Sequence, residues 1–174
     1  MGRRGVFVAA AVPLGALLVA LGLGLARGRS ADPAPGPIEA PAFSSRTLAG
    51  ESFALAEHQD GPVLVYFWAS WCTPCAAEAP MIQQLWGEYR DRGYTFVGVN
   101  IWDGDKDARA FATRYGLTFP LVRDADGAVY LSYGVQQLPM AFFVRPGGEV
   151  EERYLGQLEE AGLRRMLDQL ATKS

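Results

Sequence analysis

The stretch Val63-Leu64-Val65-Tyr66-Phe67-Trp68-Ala69-Ser70-Trp71-Cys72-Thr73-Pro74-Cys75 decides how this chain folds. Its first six residues form a continuous apolar run rich in β-branched and aromatic side chains. That pattern predicts a strand buried on both faces. A helix is predicted to follow, from about Cys72 to Asp91. Met81, Ile82, Leu85, Trp86 and Tyr89 recur there at helical spacing, and Gly93 supplies the stop. Pro80 falls inside that helix and is expected to kink it. The chain has only two cysteines, and both lie at this strand-to-helix junction, three residues apart.

That position carries the chemistry. A thiolate, not a thiol, is the nucleophile in disulfide exchange. Unpaired N–H groups and the positive end of the dipole at a helix start favour the thiolate. The effect is largest for Cys72, at the helix start. Cys75, one turn on, can reach the Cys72 sulfur and is expected to be more buried. The expected division of labour is that Cys72 attacks and Cys75 resolves the mixed disulfide. A Cys-X-X-Cys pair is also half of a zinc site, but there is no second pair and His58 is the only imidazole. No metal ligand is therefore assigned. A chaperone holding a metal on the two thiols is the alternative from another class, and it lacks a third ligand.

Further along, Thr95 to Val99 reads as a second buried strand. Asp105 to Tyr115 reads as a helix with Ala108, Phe111, Ala112 and Tyr115 on one face and Gly116 as its stop. Phe119 to Val122 is a predicted short strand, and Asp126-Gly127 a turn. Met140 to Val144 and Val150 to Leu155 are strands joined at Pro146-Gly147-Gly148. A last helix is predicted over Leu158 to Ala171, with Leu163, Met166, Leu167 and Leu170 inward. Before the central run, Phe43 to Leu55 alternates around Ala49-Gly50 as a hairpin would. This order of elements indicates an α/β fold with a mixed sheet.

The 174 residues carry a formal net charge of −3, and 49% are hydrophobic against 20% charged. That composition excludes a disordered chain and a disulfide-dense miniprotein. The mean hydropathy of +0.04 is high for a soluble domain, and the N-terminus explains it. Arg3 and Arg4 precede an uncharged stretch from Val6 to Ala26. As a helix rising about 1.5 Å per residue it would span roughly 30 Å, the thickness of a bilayer's hydrocarbon core. Signal peptides carry about 7–15 apolar residues, so the length favours a retained anchor over a cleaved signal, although Gly24-Leu25-Ala26 resembles a cleavage site. Four prolines between residues 33 and 41 then mark an extended spacer. The expected organisation is an anchor or signal segment over 1–27, a proline-rich linker over 28–41 and a folded domain over 42–174. Beyond residue 30 the chain holds 12 Lys and Arg against 19 Asp and Glu, a net of −7. An acidic domain argues against nucleic acid as a partner.

The segment Trp68-Ala69-Ser70-Trp71-Cys72-Thr73-Pro74-Cys75 resembles the thioredoxin active site. Continued through Ala76-Ala77-Glu78-Ala79-Pro80, it resembles more narrowly the TlpA/ResA/CcmG group of membrane-anchored, thioredoxin-like proteins. The resemblance runs from about Pro41 to the C-terminus. It implies a thioredoxin-like fold, with a central mixed sheet flanked by helices, an N-terminal hairpin and an insertion from Trp102 to Tyr133. It also implies an N-terminal transmembrane helix, a redox domain outside the cytoplasm and no cofactor. Glu78 matches the group's active-site glutamate, which implies a role in proton transfer. Thioredoxin has an acid in the strand before the motif. Tyr66 stands in that place here, leaving Glu78 as the candidate proton carrier. Pro139 matches the cis-proline that faces the disulfide and opposes metal capture. The Leu138 backbone before it would pair with an extended polypeptide. Trp71 and Pro74, beside the attacking cysteine, read as part of the docking surface. Gln136-Gln137 and Met140 depart from the group's usual residues, which bears on partner choice. The implied function is reduction of disulfides in partner polypeptides, above all the haem-binding cysteines of apocytochrome c or of the proteins delivering it. A membrane electron donor would re-reduce the pair. A general or copper-site thiol reductant is the alternative within the same chemistry.

Overall fold

The structure is a computed structural model that describes residues 38–171. The first strands among the described residues form a two-stranded hairpin, β1 (Ser44–Arg46) and β2 (Ser52–Ala54), followed by a 3-10 turn over Leu55–His58. β3 (Val63–Trp68) leads into α1 (Thr73–Tyr89), and β4 (Thr95–Ile101) into α2 (Asp105–Tyr115). β5 (Leu121–Asp124) and the short α3 (Ala128–Ser132) follow. The hairpin of β6 (Met140–Val144) and β7 (Val150–Leu155) precedes α4 (Glu160–Ala171).

Five strands form one sheet in the order β5-β4-β3-β6-β7. β3, β4 and β5 run parallel, while β6 and β7 pair antiparallel, so the sheet is mixed as expected. β3 sits at its centre, and all six of its residues are buried. Alternate side chains of β3 enter two different cores. Leu64, Tyr66 and Trp68 pack under α1, α2 and α4 with Ile82, Leu85, Phe111, Leu163 and Leu167. Val63, Val65 and Phe67 face Phe53, Leu55, Tyr133 and Val135, from the N-terminal hairpin, the 3-10 turn and the segment after α3. Three helices thus cover one face, and the hairpin with one short helix covers the other. Each such side chain contributes about 1.5–3 kcal/mol by leaving water, so the central strand is held strongly from both sides. His58, which carried no assigned role, stacks on Phe53 with ring centroids 4.7 Å apart.

The element boundaries shift for identifiable reasons. α1 begins at Thr73 with Cys72 as its N-cap, and it ends at Tyr89. A 3-10 turn over Arg90–Arg92 then closes at Gly93, whose φ of 84° is left-handed. α1 runs on through Pro80 without interruption. β5 starts at Leu121 rather than Phe119, because Pro120 has no N–H and Phe119 turns into the core. The sequence did not lead us to expect α3. Five residues show too little periodicity, and the carboxylate of Asp124 fixes the helix start by accepting from the backbone N–H groups of Val129 and Tyr130, 3.2 and 2.7 Å away. The spacer expected over 28–41 gives way to folded chain by residue 38. Ile38 and Ala40 exchange backbone bonds with Val150 and Gly148, at 2.7 and 2.8 Å. Among the described residues no helix is long and apolar enough to cross a membrane. The expected anchor over 1–27 lies outside them.

Candidate active site

β3 delivers the chain to the sheet's C-terminal edge, where Ala69 to Trp71 turn it into α1. The backbone N–H of Cys72 closes that turn on the carbonyl of Ala69, 3.2 Å away. Cys72 has extended dihedrals, and its carbonyl accepts the first helical bond from Ala76, 3.1 Å away. Its Sγ in turn accepts from the backbone N–H of Cys75, 3.2 Å away. Pro74 occupies the first turn, where a missing N–H costs nothing. Cys72 and Cys75 are joined as a disulfide. Cys72 is 4% exposed and Cys75 fully buried, so an incoming group reaches Cys72 first.

Behind the disulfide lies a buried carboxylate. Glu78 is only 2% exposed, and both of its oxygens are engaged. The Tyr66 hydroxyl donates to Oε1 at 2.7 Å, and the Leu158 backbone N–H donates to Oε2 at 2.6 Å. Burial pushes the carboxyl up to about 7, against the two hydrogen bonds, which favour the ion. The same burial, with the neighbouring carboxylate, raises the Tyr66 phenol. A hydroxyl both donates and accepts, so Tyr66 can serve Glu78 in either protonation state. α4 starts at Glu160, two residues later than the sequence pattern predicts.

Trp71, Cys72, Pro74 and Leu138 line one groove of about 310 Å³. Pro139 lies buried next to it, and the Leu138–Pro139 peptide is cis. The structure therefore brings four of the expected residues to one surface, and Pro139 follows Leu138 into the buried chain. Cys75 and Glu78 sit below that surface. Trp102 and Tyr130 also line the groove, and sequence reasoning passed over both. A signal for Trp102 was available in principle. Neighbouring parallel strands carry their C-terminal loops side by side, and such crevices are where α/β sheets bind ligands. The β3–β4 register pairs Trp68 with Asn100, so Ser70–Trp71 and Trp102–Asp103 leave the sheet together. Without the register, no residue of the second loop could be chosen. Among the described residues no group of three or more His, Cys, Asp or Glu side chains is placed to hold a metal ion.

Known proteins match this arrangement. Residues 38–153 match the AhpC/TSA family. The chain is 32% identical over 131 residues to the thiol-disulfide oxidoreductase ResA of Geobacillus kaustophilus, covering 75% of each chain. It is 35% identical over 133 residues to the thioredoxin-like protein YneN of Bacillus subtilis, covering 75% of this chain and 77% of that one. Among solved structures, a thioredoxin-family thiol:disulfide interchange protein of Chlorobium tepidum superposes with a TM-score of 0.72 at 26% identity, over 80% of this chain and 99% of that one. A secreted disulfide oxidoreductase of Mycobacterium tuberculosis does so with a TM-score of 0.68 at 28% identity, over 73% and 95%. The chain belongs to the thioredoxin-like AhpC/TSA family and is a thiol-disulfide oxidoreductase of the ResA/DsbE type, with its Cys-X-X-Cys pair at Cys72 and Cys75.

Proposed function

We propose that the protein is a membrane-held reductase of disulfides in extracytoplasmic polypeptides, and that it serves cytochrome c maturation. The observation that carries the chemistry is the layering of the site. Cys72 borders the groove, Cys75 is buried behind it, and a carboxyl with a pKa of about 7 lies one helical turn beyond. In the reduced protein the Cys72 thiolate attacks one sulfur of the partner's disulfide, and the other sulfur leaves and takes up a proton. Cys75 gives its proton to Glu78, directly or through one water, and attacks Cys72. The partner departs with two thiols, and the protein is left with the disulfide seen here. Trp71 and Pro74 flank the incoming strand, and the backbone of Leu138, ahead of Pro139, pairs with it. A membrane electron donor restores the dithiol.

The cytochrome role rests on similarity to the ResA proteins and on the need of haem attachment for free thiols in an oxidising space. The N-terminal apolar stretch and the secreted relative support a domain outside the cytoplasm. Cys75→Ser leaves the mixed disulfide unresolved, so partners accumulate covalently on Cys72. Apocytochrome c or its delivery proteins are the expected adducts. Trapping only copper-site assembly proteins would transfer the role to that process. Equilibration with glutathione should give a potential nearer that of thioredoxin, about −270 mV, than that of DsbA, about −120 mV. A value near the latter would reverse the direction of the reaction.

A further inference from the structure

Trp102 is the only non-glycine residue among those described with a positive φ, 55°. For a side chain this bulky the left-handed region is costly, and such outliers collect at functional sites. Trp102 is also 61% exposed, and Trp71 is 57% exposed. The two indoles lie parallel within 8°, with centroids 6.3 Å apart, and Tyr130 tilts against Trp102 at 4.9 Å. Both indoles border the groove that contains Cys72, and no charged side chain lines it. The next residue, Asp103, holds the two loops together. Its carboxylate accepts from the Ser70 backbone N–H at 2.6 Å, the Ser70 hydroxyl at 2.7 Å and the Asn100 amide at 2.6 Å. The acid is thereby turned toward the loops, and two large indoles stay at the surface beside the attacking sulfur.

We propose that Trp102 is a specificity-determining residue. With Trp71 it forms an aromatic wall that selects polypeptide disulfides whose cysteine is flanked by an aromatic side chain, and Asp103 is the positioning residue that braces this wall. The occupant is the substrate itself, because a disulfide that reaches Cys72 must bring its neighbouring side chain against the wall. The uncharged lining favours an aromatic group over an acidic one. This inference rests on the reading of the chain as a reductase of polypeptide disulfides and adds the side-chain class it prefers.

The test uses the full chain in reduced form and four cyclic peptides, X-Cys-Ala-Ala-Cys, with X as Phe, Leu, Lys or Asp. Rates of peptide thiol release are read after acid quench. The expected result is Phe fastest and about tenfold faster than Asp. Trp102→Gly removes the indole and accepts the left-handed backbone without strain, and the Phe-to-Asp ratio should fall below twofold. Asp103→Ala leaves the Ser70 and Asn100 donors without their acceptor. It should lower the same ratio and weaken the near-ultraviolet circular dichroism of the paired indoles. A ratio that survives in Trp102→Gly, or a wild type that prefers Leu or Lys, would overturn the assignment. An unchanged ratio and spectrum in Asp103→Ala would remove the brace. A wild type that reduces all four peptides equally would overturn this inference alone. One inert toward all four would overturn the reductase reading with it.

Discussion

Glu78 is buried yet titrates near neutrality, and its two hydrogen-bond donors differ in kind. The Leu158 N–H is fixed and can only donate, whereas the Tyr66 hydroxyl can turn. Desolvation raises the carboxyl from 4.5 to about 7. Below pH 4.5 the group is protonated in both folded and unfolded chains. Between about 4.5 and about 7 the folded chain keeps a proton that the unfolded chain has lost. Stability therefore falls as pH rises through that window, by up to about 3 kcal/mol. Glu78→Gln keeps an acceptor for Leu158 and removes the titration. Denaturant unfolding of the oxidised protein should show this variant gaining on the wild type from pH 4.5 to 7. Tyr66→Phe deletes a donor that favours the ion. It should move the inflection in the pH profile of disulfide reduction upward from about 7.

At the scale of elements, the β3–β4 contact is set by a glycine. A Cβ on Gly98 would lie 2.6 Å from Leu121 Cδ2, 2.9 Å from Trp68 Nε1 and 3.1 Å from Phe119 Cε2. Here the missing side chain makes room for the Trp68 indole, which fills the space over β4 and lies tilted against Phe111, with centroids 4.7 Å apart. Gly98→Ala should cost about 1–3 kcal/mol, as overpacking of a dense core does, read from the urea midpoint. Trp68 leads directly into the loop of Ser70 to Cys72, so that variant should also perturb the fluorescence of the exposed tryptophans. The start of α1 illustrates a second economy. One residue, Cys72, caps the helix and carries the reactive sulfur, so the helix end that needs a partner is also the end that favours a thiolate.

For the whole molecule, the sheet is closed by unlike layers, helices on one face and mainly the hairpin with its 3-10 turn on the other. Phe53 and Leu55 are nearly or fully buried against β3, so the N-terminal addition is part of the core. The reading of residues 6–26 as an anchor is tested on the intact chain. After carbonate extraction of cells producing it, the full-length protein should remain in the membrane pellet, whereas a chain lacking residues 1–30 should be soluble. Recovery of a shortened, soluble product from the full-length gene would instead indicate cleavage near Ala26.

The strand, the helix after it and the dithiol between them were legible in the sequence. Each is encoded locally, by an apolar run, by 3.6-residue spacing and by two cysteines with no others to confuse them. Glu78 was legible too, since i and i+3 share a helix face whatever surrounds it. Its partners and its neutral pKa were not. Tyr66 lies on β3, the strand before the helix, and Leu158 is 80 residues away, so only packing could unite them around Glu78 and exclude water. The same holds for Trp102 and Asp103, whose place beside Cys72 follows from the strand register. Local sequence determined what the reactive group is. The tertiary structure decided what surrounds it, because burial and cross-strand neighbours belong to no single stretch of chain.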